Sequence, residues 1–241
     1  MNFRDALYKS YVTTHIARRK GIVDLSNLKR HSRGFCQHFG AMLPTNKSAR
    51  IADLGCGSGG LVWWLRQCGY INCCGIDGSE EQVALAHQLG IDNVAQGDVF
   101  AYLDKERDHE ILFARDLLEH FDKQAVFDFL EKCLNSLALH GQIVIQVPNA
   151  ESPYFGRVRY GDFTHEMAFT ASSISQLLFA AGYTEIRIQP WRPAIFDLKS
   201  LIRHITWRLI EPLLKIPILI ESGSANCIVT MNLIAVAKKP K

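Results

Sequence analysis

The chain has 241 residues, 48% of them hydrophobic, and a formal net charge of +3 at neutral pH. That is enough apolar material for one domain of ordinary size with additions, and too little positive charge to argue for nucleic-acid binding. No run reaches the ~18 apolar residues that a membrane span needs. The seven cysteines have neither CxxC nor Cys/His spacing, so reduced thiols in a cytoplasmic protein are expected, with no zinc site. The first residues are polar and basic and lack the apolar core of a signal peptide.

Residues 1–48 carry no strand pattern. Leu7, Tyr8, Tyr11 and Val12 fall at helical spacing, as do Phe35, His38, Phe39 and Met42, and Pro44 ends the stretch. A helical cap on one end of a sheet is the expectation for 1–48. Its basic runs, Arg18-Arg19-Lys20 and Lys29-Arg30-His31-Ser32-Arg33, read as a solvated face or as a hold on an anionic acceptor. From Ala49 the pattern alternates. Strands are predicted at 50–54, 72–77, 94–98, 111–115 and 142–147, with helices at 60–68, 80–89 (capped by Ser79) and 122–138 between them. A long loop covers 150–169. A helix then starts at Ser172 or Ser173 and ends at Ala181–Gly182, before strands at 183–189 and 228–237. Such alternation predicts an α/β, Rossmann-like fold with a ligand crevice at the carboxyl ends of parallel strands.

Residues 191–225 are a helical insertion between the last two strands. Ile195, Leu198, Leu201, Ile202, Ile205 and Leu209 share one face, flanked by Lys199, Arg203 and Arg208, with Trp207 opposite. Pro212 and Pro217 are expected to break the apolar tail of this segment, Leu213 to Ile220. Segment 193–222 either packs on its own domain or meets a membrane surface or a second copy of the chain.

The chemistry gathers at strand ends. Arg50–Gly60 reads as strand, glycine turn and helix, the form that brings a ligand against backbone N–H groups. Gly55-x-Gly57-x-x-Gly60 also matches the dinucleotide fingerprint, which would suggest an NAD oxidoreductase. Asp53 argues against that: a carboxylate at the strand tip repels a pyrophosphate and attracts a cation. With Gly55, Gly57 and Gly59 it resembles the first motif of the class I S-adenosylmethionine-dependent methyltransferases. That resemblance implies a seven-stranded, mostly parallel sheet with an antiparallel last strand. It also implies a cofactor set of Asp53, Gly55, Cys56, Gly57, Gly59, Asp77, Gly78, Asp98, Val99 and Arg115. Asp77 would take the ribose hydroxyls and Asp98 the adenine amine. Each could instead form a turn or a helix cap. Arg115-Asp116-Leu-Leu-Glu-His120 resembles the family's acidic Glu-His motif, which faces the methionine end of the cofactor.

Val147-Pro-Asn-Ala150 and Tyr160-Gly-Asp-Phe-Thr-His-Glu-Met-Ala-Phe-Thr170 resemble a pattern of bacterial methyltransferases of surface-polysaccharide and glycoconjugate biosynthesis. The resemblance implies methylation of a sugar or lipid-linked glycan hydroxyl, at the cytoplasmic side or peripherally on the inner membrane face. His165 is the leading general base, with His120 and Asp116 the other catalytic candidates. No metal-ligand set is evident, so metal-free transfer is expected. A small phenolic or quinone-like acceptor is the alternative, and a non-catalytic scaffold that binds the cofactor is a second one.

Overall fold

Ile51, Ala52 and Leu54 give an apolar run with no alternation, the pattern of a strand covered on both faces. In the computed structural model of the protein they form β1 (Ile51–Leu54), with all four residues buried. The structure describes Leu7 and residues 24–241. The helix predicted over Leu7–Val12 and the Arg18-Arg19-Lys20 run therefore lie, Leu7 apart, outside the described residues.

β1 is flanked in parallel by β2 (Cys73–Asp77) and β4 (His109–Arg115). β3 (Val94–Gln96) continues the sheet beyond β2, and β5 (Leu137–Pro148) beyond β4, both parallel. β7 (Asn232–Lys238) then runs antiparallel to β5 and to the edge strand β6 (Thr184–Pro190). The order is β3-β2-β1-β4-β5-β7-β6, the mostly parallel seven-stranded sheet that the resemblance implies. The order reverses at β1, so the crevice opens beyond the carboxyl ends of β1, β2 and β4.

Helices cover both faces. Against one pack α1 (Leu25–Phe39), α2 (Gly60–Gln67) and α3 (Glu80–Gln88), through Phe35, Phe39, Leu61, Trp64, Leu65 and Val83. Against the other pack α4 (Val99–Lys105), α5 (Lys123–Ser136) and α7 (Ala171–Ala180), through Leu103, Phe129, Leu130, Ile174 and Leu178. The short α6 (Phe155–Arg159) interrupts the loop after β5. Side chains of Asp24, Ser79, Asp98 and Asp122 cap α1, α3, α4 and α5 by accepting backbone N–H groups.

Three expectations need correction. The helix predicted from Ser172 or Ser173 begins at Ala171. Thr170 is its cap, and Ser173 returns a bond to the Thr170 backbone in a capping box. β5 begins at Leu137 rather than Gln142, because Leu137 pairs with His109 ahead of a register shift whose extra residues lie in β5. Pro212 and Pro217 do not break the insertion: α8 (Leu198–Ser222) runs through both. Each proline removes one N–H from the helix ladder. The carbonyls released belong to Arg208 and Leu213, residues on the exposed side, where water replaces the lost partner.

α8 docks by a narrow polar stripe. Ser200, His204, Trp207 and Glu211 face inward. His204 Nδ1 lies 2.7 Å from the Pro193 carbonyl, and Arg192 donates twice to the Glu211 carboxylate at 2.9 Å. The apolar stripe faces away from the sheet: Leu198 is 72% exposed and Leu209 69%. None of the described helices is long and apolar enough to cross a membrane.

Candidate functional site

Asp53, the penultimate residue of the fully buried β1, is 1% exposed, with its Oδ1 lacking a hydrogen-bond partner. Burial pushes its pKa up to about 7, against the pull of Arg115, while Asp77 and Asp116 push in the same direction as burial. Asp77, at the tip of β2, accepts the Gly57 N–H at 2.7 Å and the Ser79 N–H at 2.8 Å. Burial raises its pKa too. One carboxylate thus knits the glycine turn to the start of α3. Asp116 follows β4 in a left-handed conformation (φ 51°) and is exposed. Gln146 of β5 links it to Arg115: Arg115 Nε donates to Gln146 Oε1 at 3.2 Å, and Gln146 Nε2 donates to Asp116 Oδ1 at 3.0 Å. The Arg115 guanidinium sits 4.5 Å over the Phe35 ring and about 6 Å from those of Phe39 and Trp191. It is therefore fixed against α1 at the back of the crevice.

Other members of the predicted cofactor set have structural duties. Cys56 turns its side chain into the core. A Cβ on Gly75 would lie 2.6 Å from its Sγ, and burial holds the thiol far above its usual range. Gly55 and Gly59 are crowded by the protein itself: an added Cβ would meet Leu117 Cδ1 and Val94 Cγ2 at 2.9 Å. Asp98 serves as a helix cap, accepting the Ala101 N–H at 2.8 Å. Val99 is buried in the core beside it. Gly78 faces open space.

The loop between β5 and α7 comes down on the turn after β4. The Glu119 carbonyl accepts the Glu166 N–H at 2.7 Å and the Met167 N–H at 3.3 Å. His120 and His165 meet edge to face, ring centroids 4.8 Å apart. The two rings are held differently. His165 Nδ1 lies 3.1 Å from the Val158 carbonyl, so that nitrogen carries the proton and the lone pair is on Nε2. A main-chain carbonyl thus orients the His165 ring. Asp162 instead accepts the Thr164 hydroxyl at 2.6 Å, and Thr164 Oγ1 faces His120 Nδ1 at 2.9 Å. Burial depresses both imidazoles, His120 to about 4, so His120 is neutral at pH 7. Asn149 of the Pro-Asn pair is a staple. Its Nδ2 donates to the Ile228 and Thr230 carbonyls at 2.6 and 2.8 Å.

With this geometry in view, the sequence matches the methyltransferase-domain family over residues 28–188. The chain belongs to that family. Its fold is that of S-adenosylmethionine-dependent methyltransferases from Archaeoglobus fulgidus (TM-score 0.65, 21% identity, 88% of this chain and 94% of the other) and Mesorhizobium loti (0.58, 19%, 85% and 97%). It is also that of a Haemonchus contortus phosphoethanolamine N-methyltransferase in complex with S-adenosyl-L-methionine (0.61, 15%, 100% and 60%). No curated protein gives a significant match.

In this methyltransferase the crevice fits a cationic cofactor. Asp53 has two like-charged neighbours, Asp77 and Asp116, against one guanidinium, Arg115, and one of its buried oxygens lacks a partner. A group carrying positive charge would supply what Asp53 is missing. Sequence reading missed Gln146 and Gln82, whose buried Oε1 also lacks a partner. A glutamine inside the apolar run Ile143–Val147 was the available signal for the first. Gln82, in the first turn of α3, gave none.

Asp53 carries a measurable cost. Its folded-state pKa lies above the unfolded one, so the Asp53 contribution to the stability of the ligand-free protein should fall as pH rises from about 4 to about 7 and then level off. Asp53→Asn should reduce the observed slope, to which Asp77 also contributes, and stabilise the ligand-free protein at pH 8 by up to about 4 kcal/mol. Denaturant midpoints measured across this range check it. A variant no more stable than wild type at pH 8 would refute the account.

Proposed function

We propose that the chain uses S-adenosylmethionine to O-methylate a hydroxyl of a sugar or lipid-linked glycan, as a single domain extended by its helical insertion. The cofactor supplies a methyl group already activated on a sulfonium, so the protein's work is to position the acceptor and manage one proton. The carrying observation is the carboxylate-lined crevice with a neutral histidine pair clamped at its rim. Asp53 and Asp77 attract and orient the cofactor. Asp116 and Arg115, joined through Gln146, hold the turn that presents His120. His165, its proton fixed on Nδ1, offers Nε2 to the acceptor's O–H. Phe163, 82% exposed, and Tyr160 stand on the same loop as faces on which a sugar ring can stack.

Calorimetry with S-adenosylmethionine and its demethylated product tests the cofactor, and Asp77→Ala tests its placement. That variant should weaken binding by roughly 1–3 kcal/mol, the cost of leaving buried polar groups unpaired. No heat with either ligand on well-folded protein would refute the reading. Mass spectrometry of glycan and phenol acceptors after turnover tests the acceptor, and methylation of phenols alone would refute the glycan assignment.

The outward apolar face of α8, edged by Lys199, Arg203 and Arg208, supports contact with an anionic membrane surface, where a lipid-linked acceptor would be found. The protein should float with anionic liposomes, and a variant lacking 193–222 should not. Wild-type protein that does not float, whether or not it self-associates, would overturn this part.

A further inference from the structure

Glu119 has no role in the transfer described above, yet its side chain is buried at 1% exposure with Oε2 lacking any hydrogen-bond partner. A carboxylate in that setting is costly unless something cationic joins it. It lies beside His120 and His165, and one ligand atom from each of the three falls within 4.8 Å of the others. Both imidazoles are arranged as ligands usually are. His165 Nδ1 faces the Val158 carbonyl at 3.1 Å. Thr164 gives its hydroxyl proton to Asp162, so its oxygen receives the His120 Nδ1 proton. Both lone pairs are thereby on Nε2. A ring N–H held by a carbonyl, and another held through a hydroxyl by a carboxylate, is the outer-shell pattern that fixes metal-binding histidines.

The geometry points to a divalent-cation site formed by Glu119 Oε2, His120 Nε2 and His165 Nε2. Ligands at about 2.1 Å from a tetrahedral ion are ~3.4 Å apart, so atoms now within 4.8 Å of one another close by up to ~1.4 Å, a movement within reach of the half-buried His165 ring. Two imidazoles and one carboxylate select a zinc-class transition ion over calcium or magnesium. Three protein ligands leave a position open for water or for an acceptor hydroxyl. The turn and the loop are already tied by the two bonds to the Glu119 carbonyl, so the ligands arrive from two segments held together in advance. A loaded site would depart from the expected metal-free transfer: without the ion His165 is the general base, and with it the same Nε2 would hold a cation that acidifies the acceptor hydroxyl, so loss of His165 lowers turnover in either state. The inference rests on the placement of the pair and does not depend on the acceptor.

Cobalt(II) is the probe, because its visible spectrum reports its ligands. Metal-free full-length protein should take up one equivalent at micromolar concentration. Visible ligand-field bands should appear without a thiolate charge-transfer band, which separates this site from the seven cysteines. Glu119→Gln and His165→Asn should each weaken uptake at least 10-fold while the heat of S-adenosylmethionine binding persists. That heat is measured on the same samples, so failure of the cation site is distinct from failure of the cofactor assignment. No micromolar uptake by folded wild type, a thiolate band, or undiminished uptake in both variants would overturn the site.

Discussion

Replacing His165 by alanine should leave affinity for S-adenosylmethionine nearly unchanged and lower turnover by roughly 10²–10⁴-fold, the usual worth of acid–base catalysis. The division between binding and turnover comes from position. His165 contacts His120 and the Val158 carbonyl, and no described bond joins it to Asp53, Asp77 or the glycine turn. Removing it leaves one main-chain carbonyl without its ring donor but does not release the loop. That loop is tied by the Glu119 carbonyl, by Asp162 on Thr164 and by Asn149 on the segment before β7. The acceptor oxygen, in contrast, loses the group that takes or loosens its proton. Calorimetry for binding and single-turnover methyl transfer for chemistry separate the two. Near wild-type turnover would remove His165 from the mechanism. Equal losses in both would mark it as a lid residue.

The sheet was legible because its signals are local. Ile51–Leu54, Ile111–Ala114 and Ile143–Val147 are apolar runs bounded by glycine, charge or proline, and each became a buried strand. The acidic residues at strand ends were legible for the same reason, since Asp53 and Asp77 interrupt otherwise apolar patterns. What each side chain does there was not legible. Cys56 looks like part of the glycine turn, yet it fills the space over Gly75 on the neighbouring strand. The glycines at 55 and 59 look like room for a ligand, and the crowding is by Leu117 and Val94. Asp98 reads as ligand contact or as cap with equal ease, and only the backbone position of Ala101 assigns the bond. The histidine pair is the extreme case. His120 and Thr164 stand 44 residues apart in sequence and 2.9 Å apart in space, and the resulting tautomer depends on Asp162 behind them. Pro212 and Pro217 mislead because their local rule assumes that released carbonyls have nowhere to go. An exposed helix face supplies water.

Gly57→Val should abolish measurable cofactor binding, at least 10²-fold in Kd, in a protein that still folds. Gly57 has φ of 56°, a conformation that costs an L-residue roughly 1–2 kcal/mol and a β-branched one more. Its N–H is the donor that holds Asp77 Oδ2 at 2.7 Å, so any relaxation of the turn moves the carboxylate assigned to the ribose. A Cβ would sit 3.4 Å from Gln82 Nε2, a contact that a flexible amide can accommodate, but the two methyls of valine reach beyond it along the lip of the crevice. Strain, loss of the Asp77 anchor and filled space all oppose the ligand. Only the strain acts strongly on the ligand-free fold, which should lose a few degrees in Tm. Gly57→Ala separates these terms, since it has the strain and the Cβ without the methyls, and should bind with intermediate affinity. Gly55 and Gly59 cannot serve for this test, because their added Cβ atoms strike core side chains at 2.9 Å and would damage folding first. A Gly57→Val protein that binds within about threefold of wild type would show that the cofactor does not lie over this turn.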